Sequence, residues 1–299
     1  FDIGEKLNLK KFRPTDIFED NQGNIWISVG GKGIYCLNNL YITQYTESDG
    51  LTNNSVLTIL VDKLGKKLIG TTDGLNLLDG EKFSRVNIGL SSSFTEWIRF
   101  LKTGFKNNYT VSLTGMTQPF PYFYKQYGER DITYFPSKCT FQTDSITYLS
   151  GNENKIIKIV RNNNTFSEEE SFDIFEAEKK PKQIAVKDIE AGQDGTIWIG
   201  TSRGLVSKKG NERKYFNNDS VLNSNISVIK TDKENRIWIA ASYGIGVILP
   251  DGKILSFSKS NEWDLRNSLS LTFDNSNNLW VGTIEGLFCI PIDSVLKNN

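Results

Sequence analysis

No histidine occurs anywhere in the 299 residues, and that absence excludes more chemistry than any residue present establishes. Without imidazole there is no Ser-His-Asp or Cys-His nucleophile, no His-ligated zinc and no side chain whose ordinary pKa suits proton shuttling near neutrality. Cysteine is scarce. Cys36, Cys139 and Cys289 form an odd set that does not make a disulfide framework, and they are expected as small buried hydrophobes. Neither sign of charge is in excess: Lys plus Arg and Asp plus Glu both number 35, so nucleic acid is not an expected partner. No apolar run reaches the length of a membrane-crossing helix, so no direct membrane insertion is expected of this segment, and no signal peptide opens it. The chain starts at Phe1 rather than Met and reads as a piece of something longer. P-loop and dinucleotide fingerprints are missing, and the turn at Asp20 and Asn21 falls short of a calcium loop, so no cofactor and no metal are expected.

A sustained helical stripe is missing too. Apolar residues come in short runs rich in β-branched and aromatic side chains, broken by Gly, Asn and Asp, as strands and turns require. These runs recur. "DNQGNIWISVGGKGIY" from Asp20, "DKLGKKLIGTTDGLNL" from Asp62, "GQDGTIWIGTSRGLV" from Gly192, "DKENRIWIAASYGIGV" from Asp232 and "DNSNNLWVGTIEGLF" from Asp274 align on Trp26, Leu68, Trp198, Trp238 and Trp280. The steps are 42, 130, 40 and 42 residues, and the long one has room for two worn copies, placed around Tyr109 and Ile156. Seven copies result.

Turn chemistry supports the alignment. Asp20, Asp62, Asp232 or Asp274 stands six residues before the aligned position, and Gly23, Gly65, Gly195, Asn235 or Asn277 stands three before it. Asp accepts bonds from amides two residues on, and Gly and Asn tolerate a left-handed backbone, so each pair predicts a tight hairpin. A second turn closes on Gly33, Gly74, Gly204 or Gly286. With a variable fourth segment, each copy makes a four-stranded antiparallel sheet, and seven of them predict an all-β, seven-bladed β-propeller.

A single propeller domain over 1–299 is expected, with blade cores near 15–45, 55–88, 96–125, 139–172, 184–216, 226–258 and 268–292. The last copy has no fourth strand behind it, so the N-terminal segment 5–12 is expected to join the final blade and close the ring.

The turn followed by Trp-Ile-Gly-Thr, two residues and Gly-Leu resembles the two-component regulator propeller repeat. Trp198, Ile199, Gly200, Thr201, Gly204 and Leu205 carry it best, with Trp280, Val281, Gly282, Thr283, Gly286 and Leu287. Ser28 and Val29, Leu68, and Ala240 and Ala241 depart from it modestly, and residues 94–178 match by spacing alone. The resemblance implies an extracytoplasmic sensor propeller of a hybrid histidine kinase, periplasmic or extracellular, detecting a saccharide-type ligand beside an adjoining propeller or signalling domain. Streptogramin lyases are similar rings that depend on a histidine base, which this chain lacks.

Other chemistry is weaker. Sialidase turns place Asp two residues before Gly, whereas Asp20 to Gly23 and Asp62 to Gly65 are three apart, so these Asp residues read as turn formers. Glu168, Glu169 and Glu170 offer paired carboxylates, but such a charge run is better read as a solvated loop or edge strand. The aromatic run from Phe120 to Phe135 suits sugar stacking or a partner protein as well as strand-edge packing.

A propeller's loop face carries its site. The turns between second and third strands present Lys32, Asp73, Arg203, Tyr243 and Glu285, and the interblade loops present Arg13, Asn54, Trp97, Asn225 and Arg266. The reading is a non-catalytic recognition or sensor module for an oligosaccharide or other polar small ligand. Its rivals are a glycan-active lyase or glycosidase, and a protein–protein interaction scaffold.

Overall fold

The computed structural model describes residues 14–38, 41–61, 66–86, 97–103, 109–114, 123–127, 130–135, 139–141, 145–150, 155–162, 165–175, 184–259, 264–274, 277–284 and 287–297. The expected strand at 5–12, the turn at Asp62 and Gly65, and Gly286 lie outside them.

Strands dominate. Sheet 1 holds β1 (Pro14–Glu19), β2 (Ile25–Val29), β3 (Gly33–Asn38) and β4 (Tyr41–Tyr45), and sheet 2 holds β5 (Val56–Val61), β6 (Lys67–Thr71), β7 (Gly74–Asp79) and β8 (Lys82–Val86). Sheet 3 is built from β9 (Trp97–Thr103), β10 (Tyr109–Thr114), β11 (Phe123–Tyr127) and β12 (Arg130–Phe135). Sheet 4 comprises β13 (Cys139–Phe141), β14 (Ile146–Ser150), β15 (Lys155–Asn162) and β16 (Thr165–Asp173). Sheet 5 runs β17 (Val186–Ala191), β18 (Ile197–Thr201), β19 (Gly204–Lys209), β20 (Glu212–Tyr215), and sheet 6 runs β21 (Ile226–Thr231), β22 (Ile237–Ala241), β23 (Gly244–Ile248), β24 (Ile254–Phe257). Sheet 7 has three strands among the described residues, β25 (Ser268–Phe273), β26 (Asn278–Thr283) and β27 (Leu287–Pro291). A short helix, α1 (Ile292–Lys297), follows where none was expected, burying Ile292 and Val295. The described residues divide into two compact units, one of sheets 1 to 3 with sheet 7, the other of sheets 4 to 6.

Sheets 1, 2, 4, 5 and 6 are antiparallel meanders, as the turn chemistry predicts. Sheet 3 corrects the expectation. Its order is β11-β12-β10-β9, with β10 and β12 parallel, and it extends to Phe135 rather than ending near residue 125. A parallel pair needs a crossover of about a dozen residues or more, and here the long connection with β11 in it supplies one. The copy placed around Ile156 is also displaced: Ile156 lies on β15, and the strand equivalent to the Trp-bearing ones is β14, which carries buried Tyr148. The Glu168–Glu170 run lies exposed on edge strand β16, the less chemical of its two readings.

Each described turn Asp has a second job. Asp20 Oδ1 accepts from the amides of Gln22 (2.9 Å) and Asn24 (3.0 Å), while Oδ2 accepts from the indole N–H of Trp26 (2.9 Å). Asp232 repeats this with the Glu234 and Arg236 amides and Trp238 Nε1 (2.7 Å), and Asp274 with the Asn278 amide and Trp280 Nε1 (2.8 Å). One carboxylate therefore shapes the hairpin and satisfies the only polar atom of the buried indole. Burial pushes the Asp20 carboxyl up, yet the bonds from Asn24, Trp26 and the turn amides outweigh it and hold its pKa below the ordinary value.

A second carboxylate joins sheets. The register shifts between Pro14 and Asp16, and between Val186 and Asp188, mark bulges in the first strands. At these bulges Asp16 Oδ2 accepts the Ile59 amide and the Thr58 hydroxyl of β5, and Asp188 Oδ2 accepts the Ile229 amide of β21. The apolar residues between neighbouring sheets form the cores. Leu205, Leu222, Ile226, Ile229 and Ile239 pack between sheets 5 and 6, and Ile17, Ile27 and Val29 of sheet 1 pack with Trp280 and Leu287 of sheet 7. The first and last sheets are thus neighbours within their unit.

Cys36 is buried, as expected, but Cys289 is exposed. Both sit opposite a Trp, at Trp26 and Trp280. β4 pairs over Cys36 at Thr43. Cys139 lies on β13, and its side chain is outside the described residues. Burial first, then the charge of Asp20, pushes the Cys36 thiol up to about 11, while Cys289 is exposed. Iodoacetamide at pH 7.5 is therefore expected to label Cys289 before Cys36, with rates rising about tenfold per pH unit because the thiolate is the nucleophile. Peptide mass analysis reads the order; equal labelling of Cys36 and Cys289 would contradict it.

Candidate functional site

The two predicted loop sets meet at one end of their sheets because backbone bonds tie them. The Gly33 amide donates to Asn54 O (2.7 Å) and the Thr72 amide to Ser55 O (3.1 Å), which brings the turns of Lys32 and Asp73 against the loop of Asn54. In the other unit the Ser202 amide donates to Ala185 O (2.8 Å), the Ser242 amide to Asn225 O (3.0 Å) and the Asn267 amide to Ser242 O (2.8 Å). Asn225, Tyr243 and Arg266 are thereby gathered along one edge.

The structure separates the tied side chains from the available ones. Asn54 is structural: its Oδ1 accepts the Glu47 amide and its own amide donates to Glu47 Oε1, both at 2.9 Å, holding the 3-10 turn Glu47–Asp49. Asp73 faces Arg85 at 4.0 Å, and Arg266 is paired with both oxygens of Asp264. That pairing, through the Arg266 side chain first, holds the Asp264 carboxyl down at about 2. Lys32 is exposed and lends its carbonyl to Gln44 Nε2 at 3.0 Å. Arg13 and Glu285 lie outside the described residues, as does the side chain of Trp97, whose backbone opens β9.

Arg203 and Asn225 line one cavity of about 410 Å³ with Phe175, Tyr215, Asn217 and Asn223. The Arg203 guanidinium is exposed and unpaired among the described residues, because its turn is held by the backbone instead, its amide donating to Thr201 Oγ1 at 3.0 Å. Tyr243, 60% exposed, stands on the neighbouring turn that Asn225 anchors. Phe175 and Tyr215 stack at 5.7 Å between ring centroids, 19° from parallel, and form an aromatic wall. Sequence reasoning missed them. Phe175 belongs to the segment read as a charge run, and Tyr215 to a fourth strand read only as variable; the alternation that sends Tyr215 and Phe216 to opposite faces was the available signal.

Chemically the cavity offers a cation, amide donors and acceptors, and a ring face. Among the described residues no three His, Cys, Asp or Glu side chains gather as a metal cluster, and no helix is long and apolar enough to cross a membrane.

No family model and no curated protein matches the chain. Solved structures do. An extracellular domain assigned to hybrid two-component system BT3049 of B. thetaiotaomicron superimposes over 97% of this chain with TM-score 0.77 at 19% identity. The chain spans 40% of that structure's length. The extracellular domain of BT4673 gives TM-score 0.70 at 15% identity over 94% of this chain and 38% of its own. Virginiamycin B lyase from Staphylococcus aureus gives TM-score 0.69 at 15% identity, covering 92% of this chain and 93% of its own. The chain shares their β-propeller fold. Identities this low establish the fold alone.

Proposed function

We propose that the chain is a non-catalytic sensor propeller of the two-component regulator type, working outside the cytoplasm as part of a longer signalling receptor. In this reading all seven sheets are blades of one closed ring, with segment 5–12 completing the last. The single observation that carries the ligand-binding role is the cavity beside Arg203 and Asn225, where unspent polar side chains stand next to the Phe175–Tyr215 stack. Pockets of this size that combine an aromatic wall with a few polar groups suit small polar ligands. A saccharide fits best, its C–H faces lying on rings and its hydroxyls meeting amides and guanidinium. The fold likeness to sensor extracellular domains supports the same role, and the adjoining domain they imply is an expected partner.

The lyase alternative has one observation for it, the fold of virginiamycin B lyase. A catalytically inactive variant of that enzyme has a histidine replaced by alanine, and this chain has none.

A melting screen against an oligosaccharide panel tests the proposal. A ligand specific for the folded state adds about 2.7 kcal/mol at a hundredfold excess over Kd. Arg203→Ala and Tyr243→Ala are each expected to weaken that ligand at least about tenfold without lowering the unliganded Tm, since both side chains are exposed. Unchanged shifts in both variants would place the site elsewhere, and glycan turnover would favour the enzyme.

A further inference from the structure

At the opposite end of sheets 5 and 6, one copy of the repeat lacks its turn carboxylate. Gly192 stands six residues before Trp198, where the other described Trp-bearing copies have Asp20, Asp232 and Asp274. The hairpin survives without it: the Gly192 amide donates to Thr196 O (2.8 Å), the Gly195 amide to Gly192 O (3.1 Å), and Asp194 takes over the Thr196 amide and hydroxyl. What is lost is the acceptor for the indole. Among the described residues Trp198 Nε1 has no hydrogen-bond partner, whereas Trp26, Trp238 and Trp280 each donate to a carboxylate. A Cβ on Gly192 would lie 3.5 Å from that nitrogen, and 2.9 Å from Asp194 Oδ1, so the place of the missing side chain adjoins the indole with the Asp194 carboxylate on its other side.

That space belongs to a cavity of about 310 Å³ lined by Trp198, Phe216, Ile237, Ile248, Lys214 and Thr231, among others. Trp198 and Phe216 face each other at 5.8 Å, tilted by 38°, and Lys214 Nζ stands 5.0 Å from the Phe216 ring centroid. Among the described residues the buried Thr231 hydroxyl has no hydrogen-bond partner, a costly state that a ligand oxygen would relieve. Asp194 also lines the cavity, but Lys209 neutralises it at 2.7 Å. The unspent groups are therefore two neutral donors and an ammonium, set among hydrocarbon walls.

We propose that this cavity binds a small organic carboxylate, whose head group occupies the place an Asp side chain holds beside the other Trp residues and whose apolar body lies against Trp198 and Phe216. An anion with a ring or short alkyl body satisfies the indole, the hydroxyl and Lys214 together; a neutral analogue leaves the ammonium unmatched.

Benzoate and hexanoate are the probes, benzamide the neutral control, and the full chain labelled with 15N at its indoles the reporter. Benzoate or hexanoate is expected to move, saturably, the indole resonance that disappears in Trp198→Phe, and to raise Tm, while benzamide at tenfold higher concentration does neither. Gly192→Asp is expected to weaken carboxylate binding at least tenfold, because the chain then carries its own head group once Asp194, 2.9 Å from the new Cβ, turns aside. Thr231→Val is expected to weaken binding severalfold. A Trp198 resonance unmoved by both acids overturns the proposal, as does undiminished binding in Gly192→Asp. Should Gly192→Asp fail to fold, parental affinity in both Trp198→Phe and Thr231→Val overturns it equally.

Discussion

Asp232→Ala is expected to destabilise the chain by about 3–5 kcal/mol, the range for removing one member of a buried, hydrogen-bonded charge pair. The carboxylate is buried and accepts from the amides of Glu234 and Arg236, the Arg236 side chain, and Trp238 Nε1. Trp238 is fully buried, so its N–H finds no water when the acceptor goes. Each orphaned donor costs about 1–3 kcal/mol, and the guanidinium loses its buried partner, keeping only the exposed Glu234 at 2.7 Å. Asp232→Asn separates shape from charge. Its single oxygen serves either the turn amides or the indole, and its NH2 faces donors, so a loss of about 2–3 kcal/mol is expected. Thermal melting gives the answer: a fall of order 10 °C for the alanine variant, with Asn intermediate. A fall of only a degree or two would mean that the hairpin holds itself, as the Gly192 hairpin does.

The comparison with Gly192 shows what was legible in the sequence and what was not. Spacing alone located the hairpins, since Asp, then Gly or Asn, then Trp recurs at fixed offsets, and the turn residues take the left-handed backbone expected: Gly23 at φ 81°, Gly195 at 81°, Asn235 at 59° and Asn277 at 63°. The offset of six between Asp and Trp was equally visible, but its meaning was divided. Asp was read as a turn former and Trp as a side chain in need of a partner, and only three dimensions join the two. Sheet 3 was illegible because residues 94–178 lack the Gly and Trp frame, and without it nothing in a strand pattern states whether the third or the fourth strand pairs with the second. Loop register did bring Arg203, Asn225 and Tyr243 to one end. It did not distinguish Asn54, whose amide is spent on Glu47, nor find the Phe175–Tyr215 wall, because stacking between residues 40 positions apart leaves no local trace. Asp16 and Asp188 escaped for the same reason: their partners sit on the next sheet.

Gly244→Ala is expected to be the other severe lesion, of about 4 kcal/mol or more. Gly244 closes the turn after β22 at φ 139°, a backbone that L side chains rarely adopt and that costs about 1–3 kcal/mol where it is forced. Strain is the smaller part. A Cβ there would lie 2.0 Å from Phe257 O and 2.9 Å from the carbonyl carbon, and these are backbone atoms at the end of β24, not a side chain free to swing away. The fourth strand must therefore move off the third, and it carries buried Leu255 and Phe257 with it. Gly204 occupies the equivalent turn of sheet 5 at φ 113°, yet its nearest backbone atom is Leu222 O at 3.1 Å. Gly204→Ala accordingly keeps the dihedral penalty and largely escapes the collision, and is expected to cost about 1–3 kcal/mol. Melting the two variants side by side isolates the contact from the dihedral. Equal losses would mean that φ alone sets the glycine requirement; a Gly244→Ala loss at least about 2 kcal/mol larger than that of Gly204→Ala would assign it to the approach of the fourth strand.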